Sequence, residues 1–301
     1  MTIKRRIYFS MPAEGPITAQ QNEFQWAVAK RVEDQGYVIE VFSRPYLKPG
    51  LASSLGWTYE NVDAVARRCV GAVIIGTPRW IFDTPEGEKR FPTEFCHYEA
   101  AVARTLGLPR LVLAESDLLK RVTFDMSYGD YIVVFPRDAA NDWLTTSKFN
   151  NPFDSWLNRV RQRRDVFLGY SSGAEGLADN IKGFVTAVGV TVLDWKIDFI
   201  PGGTILSQIQ DAAARCSGGL FLFTKDDEIS GGEQKAAPRD NVVFEAGYFS
   251  QAKGKDRVLI VRESGTKLPA DLGGDIFLDL KDRSNISPIK PQLLEFFEQR
   301  F

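Results

Sequence analysis

The stretch RCSGGLFLFT at residues 215–224 has a close copy, RCVGAVIIGT, at residues 68–77. In each copy an Arg-Cys pair leads through small residues into four consecutive apolar ones, which end at or just before a Thr. A short apolar run bounded by polar residues is typical of a strand that is buried on both faces of a parallel sheet. The repetition therefore predicts that one α/β unit occurs twice in the chain.

Both copies continue in the same way. A polar loop leads to a proline, and seven residues later a glutamate lies within an apolar helical stretch: Glu99 follows Pro92, and Glu245 follows Pro238. A further apolar strand follows each of these helices. Strands that alternate with helices indicate an α/β fold with parallel sheets, and we predict two tandem flavodoxin-like domains. Because open α/β sheets bind ligands at the carboxyl ends of their strands, each glutamate is predicted to face a ligand site.

The length of 301 residues corresponds to two domains of ordinary size. We place the first domain at residues 1–140 and the second at residues 164–301. Residues 141–163 are predicted to be a linker that is partly helical near Trp156. The linker ends in the basic cluster at 159–164, which is interpreted as solvated chain.

Composition excludes several classes of function. The formal net charge is −2, whereas nucleic-acid-binding proteins normally carry a basic face, so no nucleic-acid partner is expected. The sequence contains no run of 18 apolar residues and no signal-peptide pattern at residues 1–10, so neither membrane insertion nor secretion is expected. The three cysteines are interpreted as reduced core thiols, which favours a cytoplasmic protein.

The chain has a single histidine, His97. A metal site with several histidines is therefore impossible, and the three cysteines are too dispersed for a zinc cluster, so no metal is predicted. A hydrolase triad would have to be built around His97, which lies two positions before Glu99 and so points to another face of the helix. Capping or packing is the preferred interpretation of His97.

Glu245 is the strongest candidate for chemistry. Its sequence neighbours are apolar or small, from Val242 to Phe244 and at Ala246 and Gly247. An acid among such residues is costly to bury unless it is used. The alternative is a surface carboxylate that complements the positive end of its helix.

Three further segments are predicted to lie on the same rim. The small residues after Tyr170 and Ser171 allow backbone N–H groups to approach a phosphate, although an ordinary turn fits equally well. Gly203 and Thr204 precede a helix and form either a mobile lip or a plain helix start. Asp226 follows the strand at Leu220, where a solvated loop acid is the alternative.

Taken together, these residues resemble the TIR-like domain of bacterial antiviral effectors of the CBASS type. The resemblance spans about residues 164–279 and is carried by the segments 165–169, 203–206, 221–227 and, above all, 238–249 (PRDNVVFEAGYF). It implies an NAD+ glycohydrolase in which Glu245 is catalytic, with NAD+ as substrate and no cofactor. The implied substrate-binding residues are Arg239 and Asn241, which match the motif, and Tyr170, Ser171, Gly203, Thr204 and Asp226, which are carried over from their segments.

The resemblance also implies regulation. TIR domains of this kind act after assembly into an oligomer or filament, when neighbouring copies complete the site. The first half resembles a more divergent TIR-like or nucleoside deoxyribosyltransferase-like domain, for which we favour sensing of a nucleotide second messenger or a role in assembly. Glu99, with Arg79 and Trp80, marks a second or vestigial site there. Two alternatives stay open: a non-catalytic nucleotide-binding scaffold, and a deoxyribosyltransferase or nucleosidase.

Overall fold

A computed structural model of the chain describes residues 2–12, 17–42, 51–199, 204–228, 236–269 and 277–301. The chain divides into two compact units, Lys4–Gln162 and Arg163–Phe301. Ile3 belongs with the second unit, where its N–H donates to the carbonyl oxygen of Val188 at 2.8 Å. Each unit has its own sheet and its own core.

The first unit contains seven strands and five helices in its described residues. In chain order they are β1 Arg6–Ser10, α1 Ala19–Glu33, β2 Val38–Glu40, α2 Leu51–Ser54, α3 Tyr59–Ala66, β3 Cys69–Gly76, β4 Trp80–Thr84, β5 Gly87–Phe91, α4 Glu94–Thr105, β6 Arg110–Glu115, β7 Ile132–Phe135 and α5 Ser147–Gln162. Short 3₁₀ helices cover Val122–Phe124, Met126–Tyr128 and Asn141–Thr145.

The second unit repeats this order in its described residues. Its elements are β8 Arg164–Gly169, α6 Glu175–Ala187, β9 Val192–Asp194, α7 Trp195–Asp198, α8 Ile205–Arg215, β10 Cys216–Phe223, β11 Asp227–Glu228, β12 Ala236–Ala237, α9 Asp240–Lys253, β13 Val258–Glu263, β14 Phe277–Leu280 and α10 Lys290–Arg300. Short 3₁₀ helices cover Ser172–Ala174, Lys255–Arg257 and Ser287–Ile289.

Both main sheets have five parallel strands. Their orders are β2-β1-β3-β6-β7 and β9-β8-β10-β13-β14. In each unit the second strand is added on one side of the first strand, and the later strands are added on its other side. This is the flavodoxin-like order 2-1-3-4-5, and the predicted α/β fold of two tandem parallel-sheet units is confirmed. In the central pairings Ser10 lies beside Ile74 and Gly169 lies beside Phe221.

The central strand of each sheet is buried along its whole length because helices cover both faces. Successive side chains of a strand point to opposite faces. Ile75 accordingly packs with residues of α1 and α5, whereas Ile74 packs with residues of α3 and α4. In the second unit Leu222 packs with α6 and α10, and Phe221 packs with α8 and α9.

Hydroxyl side chains set the starts of the helices that flank the carboxyl edge of each sheet. Thr93 is the N-cap of α4, and its Oγ1 accepts the N–H of Phe95 at 3.1 Å. Thr204 is the N-cap of α8, where its Oγ1 accepts the N–H of Ser207 at 3.1 Å. Each cap satisfies a backbone donor that the first turn of the helix leaves without an intrahelical partner.

The prediction of a linker at residues 141–163 is wrong. Residues 147–162 form α5, which packs on the first sheet through Phe149, Phe153 and Trp156, so the first unit extends to Gln162 instead of ending at 140. Pro152 lies inside this helix. The indole N–H of the fully buried Trp156 donates to the carbonyl oxygen of Pro109 at 3.0 Å, which fixes the helix to the loop before β6.

The segment between Thr77 and Pro92 was predicted as a polar loop but contains the antiparallel hairpin β4–β5. A buried ion pair holds the hairpin against the carboxyl edge of the first sheet. Arg90 Nη2 lies 2.6 Å from Glu115 Oε1, and Gln21 donates to the other oxygen of Glu115 at 2.5 Å. The outer residues Ile81 and Phe82 are exposed.

Among the described residues, no helix combines the length and the apolar character that crossing a bilayer requires. Cys69, Cys96 and Cys216 are buried thiols in the two cores.

Because Trp156 belongs to the core, its replacement by alanine should lower the free energy of unfolding by about 3–5 kcal/mol, through lost burial and the cavity left behind. Asp154→Ala changes an exposed residue of the same helix and should cost less than about 0.5 kcal/mol. Urea unfolding of the full chain, followed by circular dichroism, measures both. Equal effects of the two substitutions would mean that α5 behaves as a linker.

Candidate functional site

The second unit places Glu245 at the point where its strand order reverses. Glu245 lies in the second turn of α9, the helix that follows the central strand β10. The neighbouring strand β8 ends at Gly169, next to Phe221 of β10. The carboxylate therefore reaches the carboxyl edge of the sheet between two strands whose connections leave in opposite directions, which is where open α/β sheets bind ligands.

Glu245 is buried, with 8% of its surface exposed. The burial comes from the strand ends more than from its own helix, because the neighbouring Phe244 is itself 54% exposed. A Cβ atom at Gly169 would lie 2.8 Å from Glu245 Oε2 and 2.5 Å from Phe221 Cδ1. Only a residue without a side chain leaves room for the carboxylate at this position.

Among the described residues, none donates a hydrogen bond to the buried Oε2 of Glu245. Burial raises the pKa of Glu245 to about 7, well above its ordinary value of 4.5. Buried acceptors are normally satisfied, and an exception in a cleft indicates a functional group.

Glu245 opens into a cavity of about 470 Å³, a size typical of small-ligand sites. Five of the predicted site residues line it together: Tyr170, Ser171, Arg239, Asn241 and Glu245. They come from the end of β8 and from the start of α9, which the sheet brings to the same edge. The Arg239 side chain pairs with Asp227 at 2.8 Å.

Tyr170 is fixed from behind by a polar network. Its hydroxyl donates to Asp194 Oδ1 at 2.9 Å, and Lys182 Nζ lies 2.8 Å from the other oxygen of Asp194. Burial and the Asp194 carboxylate raise the pKa of Tyr170, so the phenol stays protonated. The indole N–H of Trp195 donates to the carbonyl oxygen of Tyr170 at 3.1 Å and ties the start of α7 to the same wall.

Asp226 does not line the cavity but holds its wall in place. Its carboxylate accepts the hydroxyls of Ser171 at 2.7 Å and Thr224 at 2.9 Å, and the backbone N–H of Arg239 at 3.3 Å. It thereby joins the ends of β8 and β10 to the start of α9. Thr204 is a helix cap and is not among the lining residues, whereas Gly203 lies outside the described residues.

Seven of the twelve residues that line the cavity were not predicted from the sequence. The additional residues are Ser172, Trp195, Lys196, Phe199, Ile205, Gln208 and Val242. Most of them belong to α7 and α8, which lie far from Glu245 in sequence. The only available signal was the pair of aromatic residues shortly after β9. Gln208 Oε1 is a second buried acceptor without a partner among the described residues.

The first unit has an equivalent cavity of about 370 Å³ around Glu99, which is 7% exposed. Here the carboxylate is engaged, because the indole N–H of Trp57 donates to Glu99 Oε1 at 2.7 Å. Burial raises the pKa of Glu99, and this hydrogen bond partly opposes the rise. Ser10 occupies the strand position that corresponds to Gly169. No sequence pattern indicated that Trp57 would contact Glu99.

Arg79 and Trp80 line this first cavity with Glu99, as their grouping in the sequence predicts. The Arg79 guanidinium lies 5.2 Å from the centroid of the Trp80 ring. His97 instead packs edge-on against Phe124 at 5.4 Å and lines neither cavity. The first unit thus has an aromatic pocket with one arginine at its rim rather than a second copy of the Glu245 site.

The space beside Glu245 can be tested at Gly169. Gly169→Ala should cost about 1–3 kcal/mol of unfolding free energy, because the new methyl group overlaps Glu245 and Phe221. Gly176→Ala is the matched control: a Cβ there meets nothing within 4 Å, and alanine should gain up to about 1 kcal/mol in the helix α6. Urea unfolding measures both variants. A neutral Gly169→Ala would show that the carboxylate lies elsewhere.

Glu245 should destabilise the protein in a pH-dependent way. The folded state holds its proton up to about pH 7, whereas the unfolded chain releases it near pH 4.5, so the penalty develops between these values and is complete above pH 7. Glu245→Gln should therefore raise the unfolding free energy at pH 8 by an amount on the order of 3 kcal/mol, and change it little near pH 4.

Chemical unfolding of wild type and Glu245→Gln across this pH range measures the difference. Glu263→Gln is a contrasting control, since hydrogen bonds and charge from Arg283 and Lys225 lower the pKa of that carboxyl. A stability difference for Glu245→Gln that does not vary with pH would contradict the burial of its charge.

One comparison with known protein families matches residues of the second unit. Residues 165–282 match the family described as "CAP12/Pycsar effector protein, TIR domain". CD-NTase-associated protein 12 of Lachnospiraceae bacterium (strain RUG226) is 32% identical over 111 residues, which are 36% of this chain and 35% of that protein. Pycsar effector protein BcPycTIR of Burkholderia cepacia is 29% identical over 125 residues, 40% of this chain and 41% of that protein.

The chain thus spans well under half the length of these two relatives. Among solved structures, the TIR domain of the Toll-related receptor TRR-2 from Hydra magnipapillata is 14% identical. It covers 45% of this chain and 98% of that domain with a TM-score of 0.35, which is too low to argue from. The family match does not extend to residues 1–164. Residues 165–282, which match the TIR domain of the CAP12/Pycsar effector family, contain Glu245 and every residue that lines its cavity.

Proposed function

We propose that the second unit is an NAD+ glycohydrolase, which cleaves the bond between nicotinamide and ribose. The observation that carries the proposal is Glu245: a buried carboxyl group, with no donor to its Oε2 among the described residues, that lines a ligand-sized cavity. A structural carboxylate would be paired, as Glu263 is with Arg283 at 2.6 Å. Glu245 is therefore suited to balance a positive charge brought by a ligand.

The chemistry needs little more than this group. Nicotinamide leaves NAD+ as a neutral molecule, so the leaving group requires no general acid. As the bond breaks, positive charge develops on the ribose, and a carboxylate in surroundings of low polarity stabilises that charge strongly. Water then attacks the ribose carbon and loses a proton, so that NAD+ and water give ADP-ribose, nicotinamide and H+.

The other cavity residues divide among the parts of the dinucleotide. The diphosphate would bind Arg239, at the N-terminal start of α9, by displacing Asp227 from its guanidinium. Trp195 and Phe199 offer ring faces to a base. Gln208 Oε1 and Glu245 Oε2 are acceptors suited to ribose hydroxyl donors. Tyr170 and Ser171 shape the wall on which the substrate rests.

We also propose that the enzyme acts as a regulated antiphage effector, on the strength of the relatives' names and the family match. In this scheme the first unit senses a nucleotide signal or drives assembly, and copies of the chain associate to activate the second unit. Exposed apolar side chains on the elements that line the Glu245 cavity support association. They are Ile197, Ile205, Leu206 and Phe244. The burial of such a patch by a second copy would be favourable.

Incubation of the purified chain with NAD+, followed by chromatography, tests the activity. We expect nicotinamide release that falls about a hundredfold or more in Glu245→Gln, because the carboxylate acts on the transition-state charge. Glu99→Gln, the matched change in the first unit, should retain activity. Assays over a wide range of protein concentration, with and without mononucleotides, cover activation by assembly or by ligand.

The rate should rise between pH 6 and pH 8, because the ionised form of Glu245 is the working form and its pKa lies near 7. Parallel incubation with deoxynucleosides distinguishes the alternative. Release of a free base from deoxynucleosides, with NAD+ left intact under every condition, would identify a nucleosidase or deoxyribosyltransferase instead. Intact NAD+ and intact deoxynucleosides throughout would leave the binding scaffold.

A further inference from the structure

We propose that the cavity of the first unit binds a mononucleotide and does not cleave it. The family match covers only the second unit, so the ligand of this cavity must be inferred from its own residues. The proposal deepens the sensing role suggested above by naming the site and the chemistry of the ligand. It does not require that the second unit be an enzyme.

The mouth of the cavity offers flat apolar surface. Trp80 is 45% exposed and Phe95 is 54% exposed, although both belong to regular elements, β4 and α4. Phe95 is braced from behind by Trp57, with ring centroids 4.4 Å apart. Rigid, half-exposed rings that line a concave site are suited to stacking against a planar base.

Two charged side chains complete the recognition of a nucleotide. Arg79 lines the cavity without a carboxylate partner among the described residues, whereas Arg239 in the other cavity pairs with Asp227. An unengaged guanidinium is available for a phosphate. Glu94 also lines the cavity, and its exposed carboxylate can accept the hydroxyls of a ribose. Base, sugar and phosphate each have a counterpart.

The same cavity lacks the feature that suits the other one to catalysis. One oxygen of Glu99 already accepts the indole N–H of Trp57 at 2.7 Å. Ser10 stands on the strand where Gly169 leaves space in the second unit. A carboxylate that is hydrogen-bonded and crowded by protein groups is a poor partner for charge developing on a ribose. Binding without turnover is the expected outcome.

The hairpin β4–β5 explains how Trp80 is held in place. Arg90, on the second strand of the hairpin, forms a buried ion pair with Glu115 at the end of β6. The N–H of Arg79 donates to the carbonyl oxygen of Phe91 at 2.7 Å and closes the hairpin beside the cavity. The aromatic wall is thus anchored to the sheet rather than carried on a loose loop.

Isothermal titration calorimetry on the full chain carrying Glu245→Gln tests the site without turnover in the second unit. The probes are the four common nucleosides, their 5′-monophosphates and their 3′,5′-cyclic monophosphates, together with inorganic phosphate and indole-3-carboxylate. We expect at least one mononucleotide to bind about tenfold or more tightly than its nucleoside, since Arg79 contacts the phosphate. Phosphate alone and the aromatic carboxylate should bind far more weakly.

Arg79→Gln and Trp80→Ala should each weaken that binding by about tenfold or more, whereas Asn241→Ala in the other cavity should not. Arg79 and Trp80 are exposed, so thermal unfolding should show that both variants remain folded. Tight binding of the aromatic carboxylate would place a different class of ligand in the cavity. Binding that is lost in Asn241→Ala and kept in Arg79→Gln would place the nucleotide in the Glu245 cavity, and in either case the proposal is wrong.

Chromatography of the bound nucleotide after long incubation tests the second half of the proposal, and intact nucleotide is expected. Release of the free base by the Glu245→Gln chain would show that the first cavity cleaves its ligand. Failure of every mononucleotide to bind would refute the site. Neither result bears on nicotinamide release by the wild-type chain, so the two proposals stand or fall separately.

Discussion

The burial of one carboxyl group, whose Oε2 has no hydrogen-bond donor among the described residues, is the constraint on which the site in the second unit depends. Glu245 can occupy its position only because the neighbouring strand ends in Gly169, where a side chain would overlap both the carboxylate and Phe221. Removing a carboxylate from water is costly when nothing replaces its hydration, and the raised pKa of Glu245 expresses that cost. The surrounding sheet is buried on both faces and supplies the stability that tolerates it. The Asp226 and Tyr170 side chains of the cavity wall are hydrogen-bonded by comparison.

The duplication shows which features the two units share and which differ between them. Glu115 and Glu263 occupy equivalent places at the ends of β6 and β13, and each is paired with an arginine. Glu99 and Glu245 are also equivalent, but the first is satisfied by Trp57 and the second has an oxygen without a donor among the described residues. One fold therefore presents the same acid in two electrostatic states. The difference arises from a few neighbours and not from the topology, which is shared.

The sequence predicted those features that depend on local pattern. Apolar runs that alternate with helical stretches predicted the two sheets, their order and the placement of both glutamates. The sequence predictions were wrong or incomplete where contacts between residues far apart in the chain determine the structure. Helix α5 was interpreted as linker, although its Phe149 and Trp156 pack on the sheet. Trp57 and Gln208 reach their cavities from helices and loops remote in sequence. Thr204 and Asp226 were placed on the correct edge, but they act as a cap and a brace.

A carboxyl group whose pKa lies near neutrality also changes its protonation state when a charged substrate binds beside it. Near pH 7 Glu245 is divided between the protonated and ionised forms. The nicotinamide ring of NAD+ carries a positive charge, and a positive charge close to a carboxyl group favours the ionised form. In the proposed reaction, entry of the substrate would therefore drive off the proton and create the carboxylate that the transition state requires. A dinucleotide of the same shape whose nicotinamide-like ring carries no charge would leave the proton in place. In the proposed reaction, the burial that destabilises the empty site would thus favour a substrate whose ring carries a positive charge.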